Sequence, residues 1–113
     1  MRDAAGLRRA GIADEASLLA LIEEFCLVDE HPFDAQRVRR ALQPLLEDDT
    51  LGVVWLIGDP PSGYAVLTWS YSLESGGRDA LLDEIYVRER GRGEGSRALQ
   101  AIFDDLRSRG ITR

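Results

Sequence analysis

Apolar residues recur at helical spacing in two early segments and again near the end of the chain, with compact apolar runs between them. In the first segment Leu18, Leu21, Ile22 and Phe25 share one helical face, and Leu19 and Cys26 widen the stripe. Asp14 stands at the expected N-cap, and Glu15 adds negative charge where the helix dipole favours it. Asp29, Glu30, His31 and Pro32 break the pattern. Asp34 then caps a second helix, with Val38, Ala41, Leu42, Leu45 and Leu46 on its apolar side. Pro44 falls inside that pattern. It lacks an N–H and crowds the preceding turn, so it is expected to kink or shorten the helix. Glu47, Asp48 and Asp49 read as a solvated helix end.

Leu7 to Ile12 reads as a short first strand. Leu51 to Ile57 is rich in β-branched and aromatic residues, as strands are. A Gly/Pro-rich turn separates it from a second such run, Tyr64 to Tyr71, so the two predict a hairpin. Ser75 to Arg78 breaks the pattern again, and Leu81 to Val87 predicts another strand. A loop from Gly91 to Gly95 leads into a helix with Ala98, Leu99, Ile102, Phe103 and Leu106 on one side. Gly110 is a natural stop for it, and Ile111 to Arg113 reads as the start of one more strand. The order β-α-α-β-β-β-α predicts an α+β fold, and a length of 113 residues predicts a single domain over residues 1–113. No repeat, linker or low-complexity segment interrupts it.

Charge narrows the function classes. Twenty acidic residues against fourteen cations, all of them Arg, leave a net charge of -6. Nucleic-acid binding needs clustered cations and is not expected. The acidic balance suits a cationic or amine substrate. A single cysteine, Cys26, excludes an intrachain disulfide and reads as a small buried residue of the helical stripe. His31, the one histidine, sits before Pro32 and reads as a loop residue, so neither a Cys/His catalytic pair nor a metal site is expected. No apolar run is long enough to span a membrane, and Met1 to Gly6 leads into no signal-peptide core. A cytoplasmic location is the expectation.

The candidate chemistry lies between Leu81 and Leu106. A strand enters the loop Arg90-Gly91-Arg92-Gly93-Glu94-Gly95, and a helix follows. Glycines there let backbone approach a ligand, free N–H groups at the helix start cradle a pyrophosphate, and Arg90, Arg92 and Arg97 add positive charge. A flexible connector with solvated arginines is the plain alternative. A dinucleotide fingerprint fits less well, because it follows the first strand of a βαβ unit.

This arrangement resembles the GNAT superfamily of N-acetyltransferases. Their signature Arg/Gln-x-x-Gly-x-Gly/Ala is matched by Arg90, Gly93 and Gly95, with Arg92 between, and Leu82 to Val87 is similar to their fourth strand. The segment from Gly63 to Val87 looks most like the diamine and polyamine acetyltransferase branch. The resemblance spans nearly the whole chain and implies a mixed, mostly antiparallel sheet flanked by helices, with the C-terminal part of the fold missing. It also implies acetyl-CoA as co-substrate. Backbone groups of Ile85, Tyr86 and Val87 would then pair with the pantetheine arm, with the Ile85 N–H polarising the thioester carbonyl. Arg90, Gly91, Arg92, Gly93, Glu94, Gly95, Ser96 and Arg97 would hold the pyrophosphate.

Attack by an amine requires a proton acceptor, and Asp83 and Glu84 are the candidates. Strand alternation points them to opposite faces, so at most one is expected in a given pocket; Glu84 ranks first because it adjoins Ile85. Glu74 and Asp79 are candidates for attracting a cationic substrate, although ordinary loop charges are the simpler reading. Tyr71 or Trp69 is a candidate for lining the substrate cleft, although core packing is the simpler reading for an aromatic in a strand.

Three features depart from the family. Only Arg88 and Glu89 separate Val87 from Arg90, where a longer connector is usual. Glu94 occupies a usually apolar place. The chain ends after the helix that follows the glycine loop, without the tyrosine usually proposed as general acid for the thiolate. The sheet edge this exposes is expected to be covered by a second copy in a homodimer. The expected function is acetyl transfer to a primary amine of a small cationic substrate. The alternatives are a non-catalytic GNAT-like domain that binds CoA weakly or serves in assembly, and an unrelated α+β interaction module.

Overall fold

Periodicity and observed structure agree on the order of elements. The computed structural model describes residues 7–58, 60–74, 76–88 and 94–108. Strand β1 (Leu7–Arg9) leads through a short 3-10 turn (Ile12–Asp14) into helices α1 (Glu15–Val28) and α2 (Ala35–Glu47). Strands β2 (Gly52–Ile57), β3 (Gly63–Ser72) and β4 (Gly77–Val87) follow, and then helix α3 (Glu94–Ser108). The strands form one sheet in the order β1-β2-β3-β4, and every described pairing is antiparallel. None of the described helices is long and apolar enough to cross a membrane.

Helices of 13 and 14 residues are marginal alone in water, so packing decides their stability. On one sheet face Leu18, Leu21 and Ile22 of α1 and Leu42 and Leu46 of α2 meet Val54, Leu56, Tyr64, Val66 and Tyr86. On the other, Ala98, Ile102 and Leu106 of α3 meet Leu7, Val53, Trp55, Ile57, Ala65 and Leu67. Strand β2 is buried on both faces, which explains its unbroken apolar run.

Local departures from the expected elements have physical causes. Strand β1 ends at Arg9, with one further ladder bond from the Ala10 N–H to the Val54 carbonyl at 2.8 Å. Asp14 occupies the N-cap position of α1, but its carboxylate turns back. It accepts the Gly11 N–H at 2.8 Å and a two-pronged Arg8 guanidinium at 2.9 and 3.0 Å, which holds its carboxyl below its ordinary range. Asp34 caps α2 as expected, accepting the Arg37 N–H at 3.3 Å. Helix α2 runs through Pro44 to Glu47. Proline there forfeits one bond, to the Arg40 carbonyl, and buried Leu42 and Leu46 on either side keep the turn packed. Strand β4 begins at Gly77, earlier than Leu81, because Arg78, Asp79 and Ala80 pair with Tyr71, Ser70 and Trp69. Gly110 and residues 111–113 lie outside the described residues.

Candidate active site

Residues of α1, α2, β3 and β4 and of the α1–α2 connection line an open cavity of about 470 Å3. Its floor is buried and apolar: Ile22, Leu42 and Val66. Cys26, Val38 and Leu45 continue the wall, half-buried. Cys26 therefore belongs to the cavity surface and is not a fully buried core residue; burial pushes its thiol pKa up. The rim is polar and exposed, with His31, Asp34 and Arg37 on the α1–α2 connection and the first turn of α2. His31 is the loop residue expected, its Nε2 lying 2.8 Å from Asp29 Oδ2.

A β-bulge brings both candidate carboxylates to this cavity. Val66 pairs with Glu84 but Leu67 pairs with Leu82, so Asp83 is an extra residue in β4. Two residues then oppose one, and simple alternation fails. This corrects the expectation that Asp83 and Glu84 face opposite ways, since both line the cavity. Asp83 is exposed, and Glu84 is half-buried beside Val66. The Tyr64 hydroxyl, inside the core, donates to Glu84 Oε1 at 2.9 Å. Burial pushes the Glu84 carboxyl above its ordinary range, the neighbouring charges of Asp83 and Asp29 add to the rise, and the Tyr64 bond opposes it. The same burial and the adjacent carboxylate push the Tyr64 hydroxyl pKa up, so it stays a proton donor.

One residue beyond Glu84, the backbone turns outward. The Arg88 N–H donates to the Ser62 carbonyl at 2.9 Å, which makes Tyr86 and Glu84 the next hydrogen-bonded positions of the β3–β4 ladder. The N–H and C=O groups of Ile85 and Val87 therefore point away from β3, where no described strand pairs with them. Glu24 of α1 anchors this end of β4. It accepts the Tyr86 hydroxyl at 2.7 Å and the Arg88 guanidinium at 2.8 and 3.0 Å, which together hold its carboxyl below its ordinary range.

The remaining candidates fall in three places. Arg90, Gly91, Arg92 and Gly93 lie outside the described residues. Glu94 and Gly95 open α3, and Ser96 and Arg97 are exposed on its first turn. Tyr71, Glu74 and Asp79 sit at the far end of the β3–β4 hairpin and do not line the cavity. Asp79 is five residues from Glu84, about 15 Å along the strand. Trp69 packs against the opposite, α3-covered face. Among the described residues no group of three or more His, Cys, Asp or Glu side chains is placed to hold a metal ion.

Sequence reasoning did not find the cavity wall or Tyr64. Val38 and Leu45 look like core positions when only the α2 stripe is read. Tyr64 carried no signal beyond its place in a strand.

No protein-family model and no curated protein matches the chain. Solved structures do. An integron cassette protein from the mobile metagenome of Cole Harbour Salt Marsh is 35% identical, with a TM-score of 0.87 over 93% of this chain and 72% of that one. A proposed acetyltransferase from Arthrobacter sp. FB24 is 36% identical, with a TM-score of 0.80 over 94% of this chain and 69% of that one. An acetyltransferase of Clostridium acetobutylicum, assigned by prediction and solved with acetyl-CoA, shares the fold at 16% identity. Its TM-score is 0.78 over 95% of this chain and 76% of that one. With an acetyltransferase-type relative above one-third identity that superposes over 94% of this chain, the chain belongs to the GNAT-type acetyltransferases.

Proposed function

We propose that this chain moves the acetyl group of acetyl-CoA to the primary amine of a small cationic molecule seated in the 470 Å3 cavity, with Glu84 as proton acceptor. One observation carries the reading. Glu84 is a half-buried carboxylate in the cavity wall, oriented by Tyr64, and its neighbour Ile85 turns its N–H to the outer edge of β4.

The outer edge of β4 fits acetyl-CoA. Outward N–H and C=O groups of Ile85 and Val87 suit an amide-bearing arm laid along the strand, as in β-strand addition. The first turn of α3, with Ser96 and Arg97 and the preceding Arg90 to Gly95, would hold the pyrophosphate. When bound, acetyl-CoA supplies a thioester whose carbonyl carbon bonds the amine nitrogen as the C–S bond breaks; the second proton lost from nitrogen passes to the leaving thiolate, which departs as the thiol. The Ile85 N–H donates to the carbonyl oxygen as charge develops there. Asp83 attracts the ammonium form of the acceptor, and Glu84 takes the ammonium proton to free the nitrogen lone pair. An alkylammonium has a pKa of about 10.4, so a carboxyl raised by burial narrows the gap between acceptor and donor.

Calorimetric titration with acetyl-CoA and thiol release with a panel of amines test the reading. Glu84→Gln is expected to lower kcat by about 10² to 10⁴ while acetyl-CoA affinity stays unchanged. No binding at millimolar acetyl-CoA, or full turnover in Glu84→Gln, overturns it.

A further inference from the structure

The cavity is chemically lopsided, and the asymmetry bears on what it accepts. Its β4 side carries Asp83 and Glu84. Its α1 and α2 side is built from Ile22, Val38, Leu42 and Leu45. A third carboxylate, Asp34, stands on the rim, but it caps α2 through the Arg37 N–H, and the Arg37 side chain lines the same rim. Negative charge within the space is thus concentrated on its β4 side, and His31, Asp34 and Arg37 stand on the exposed rim.

We propose that the acceptor is a monoamine with an apolar body, its ammonium at Asp83 and Glu84 and its carbon skeleton along Val38, Leu42 and Leu45. For the reaction this rests on the transferase reading above; for binding it stands alone. A molecule with one charged end matches both halves of the site: the carboxylates compensate the ammonium, and the opposite wall takes apolar surface out of water. A second ammonium on the same short skeleton would lie against leucine and valine side chains, because the one carboxylate beyond that wall, Asp34, is solvent-exposed and shares the rim with Arg37. That placement strips water from a charge without a partner in contact. A polyhydroxylated amine meets the same wall, whose side chains offer its hydroxyls no hydrogen bond. The sequence resemblance to the diamine and polyamine branch points the other way, so the two readings separate cleanly.

Pentylamine and cadaverine share a five-carbon chain and differ by the second amine, which makes them the discriminating pair. Calorimetry on the whole chain is expected to show pentylamine and phenethylamine binding at least about tenfold more tightly than cadaverine. Leu45→Glu sets a carboxylate on the far wall at a half-buried position and is expected to move the ratio toward cadaverine. Cadaverine binding as tightly as pentylamine, no amine binding at millimolar concentration, or an unchanged ratio in Leu45→Glu overturns the proposal. Graded amine binding without thiol release would leave this inference standing and remove the transferase reading. Thiol release that favours cadaverine would do the reverse.

Discussion

At the scale of single residues, the hydrogen bond from Tyr64 to Glu84 tunes the carboxyl proposed as proton acceptor. Tyr64 is fully buried and donates to Glu84 at 2.9 Å, the largest of the influences that lower a carboxyl otherwise raised by burial and by Asp83. Tyr64→Phe removes that donor and lets the Glu84 pKa climb further. The acidic limb of the kcat/KM profile is then expected to move to higher pH, with a stability loss of about 1 kcal/mol from the lost hydrogen bond. An unmoved limb would show that Glu84 is not the titrating base. Linkage supplies a second expectation. The folded-state pKa of Glu84 lies above its unfolded value, so folding favours the protonated form. Its contribution to stability is fully present below the unfolded pKa and is lost as pH rises through the folded one. Near neutral pH the raised pKa therefore opposes folding, and Glu84→Gln is expected to raise the melting temperature there by roughly 3 °C. The gain should vanish below the ordinary carboxylate range. The variant that impairs catalysis would thus be the more stable protein, as expected where a charge is kept partly buried for function.

At the scale of elements, the β3–β4 hairpin positions both the carboxylates and the outward amides. Gly63 lets its two strands approach closely. A Cβ there would lie 2.3 Å from the Tyr86 carbonyl oxygen and 3.0 Å from the Val87 Cα, both backbone atoms with little room to yield. Gly63→Ala is expected to destabilise the fold by about 2 kcal/mol and to weaken acetyl-CoA binding, because the displaced segment contains Val87. Denaturant unfolding and calorimetry check the two effects, and an unchanged midpoint would show that the hairpin absorbs the methyl group. The same hairpin shows how far the sequence is legible. Helices α1 and α3 and strands β2 to β4 follow from periodicity, because one buried face imposes a stripe or an alternation. The bulge at Asp83 does not: inserting one residue alters the pairing while leaving the apolar pattern around it intact. The early start of β4 is hidden for a related reason. Gly76 and Gly77 read as a break, yet their positive φ values of 83° and 151° belong to the turn that returns the chain into register. The cavity is harder still to foresee, since its wall exists only where α1, α2 and β4 meet. On α2, Val38 and Leu45 differ from buried Leu42 and Leu46 by a small rotation about the helix axis, which residue type does not encode.

At the scale of the whole molecule, the net charge of -6 and the acidic end of the cavity act in the same direction on a cationic acceptor. Asp83 and the rim carboxylate Asp34 are solvent-exposed, so their attraction for an approaching ammonium is open to screening by salt. Glu84 is half-buried, and in the proposed reaction it would meet the ammonium at short range, where screening is far weaker. Ionic strength should therefore separate the two roles. Raising salt from about 0.01 M to about 0.15 M shortens the Debye length from about 30 Å to about 8 Å. The KM of a cationic amine is then expected to rise about two- to threefold with kcat nearly unchanged. In the proposed site the pyrophosphate of acetyl-CoA would meet the opposite balance, local arginines on a molecule of negative net charge, so its KM is expected to stay level or fall. A KM for amine that does not respond to salt would mean that the acceptor is captured by shape and apolar contact alone, and would leave Asp83 without a part in binding. A fall in kcat along with the rise in KM would place the screened charges in the chemical step. That result would move the assignment of base from Glu84 to the exposed Asp83, the residue that the bulge sets beside it.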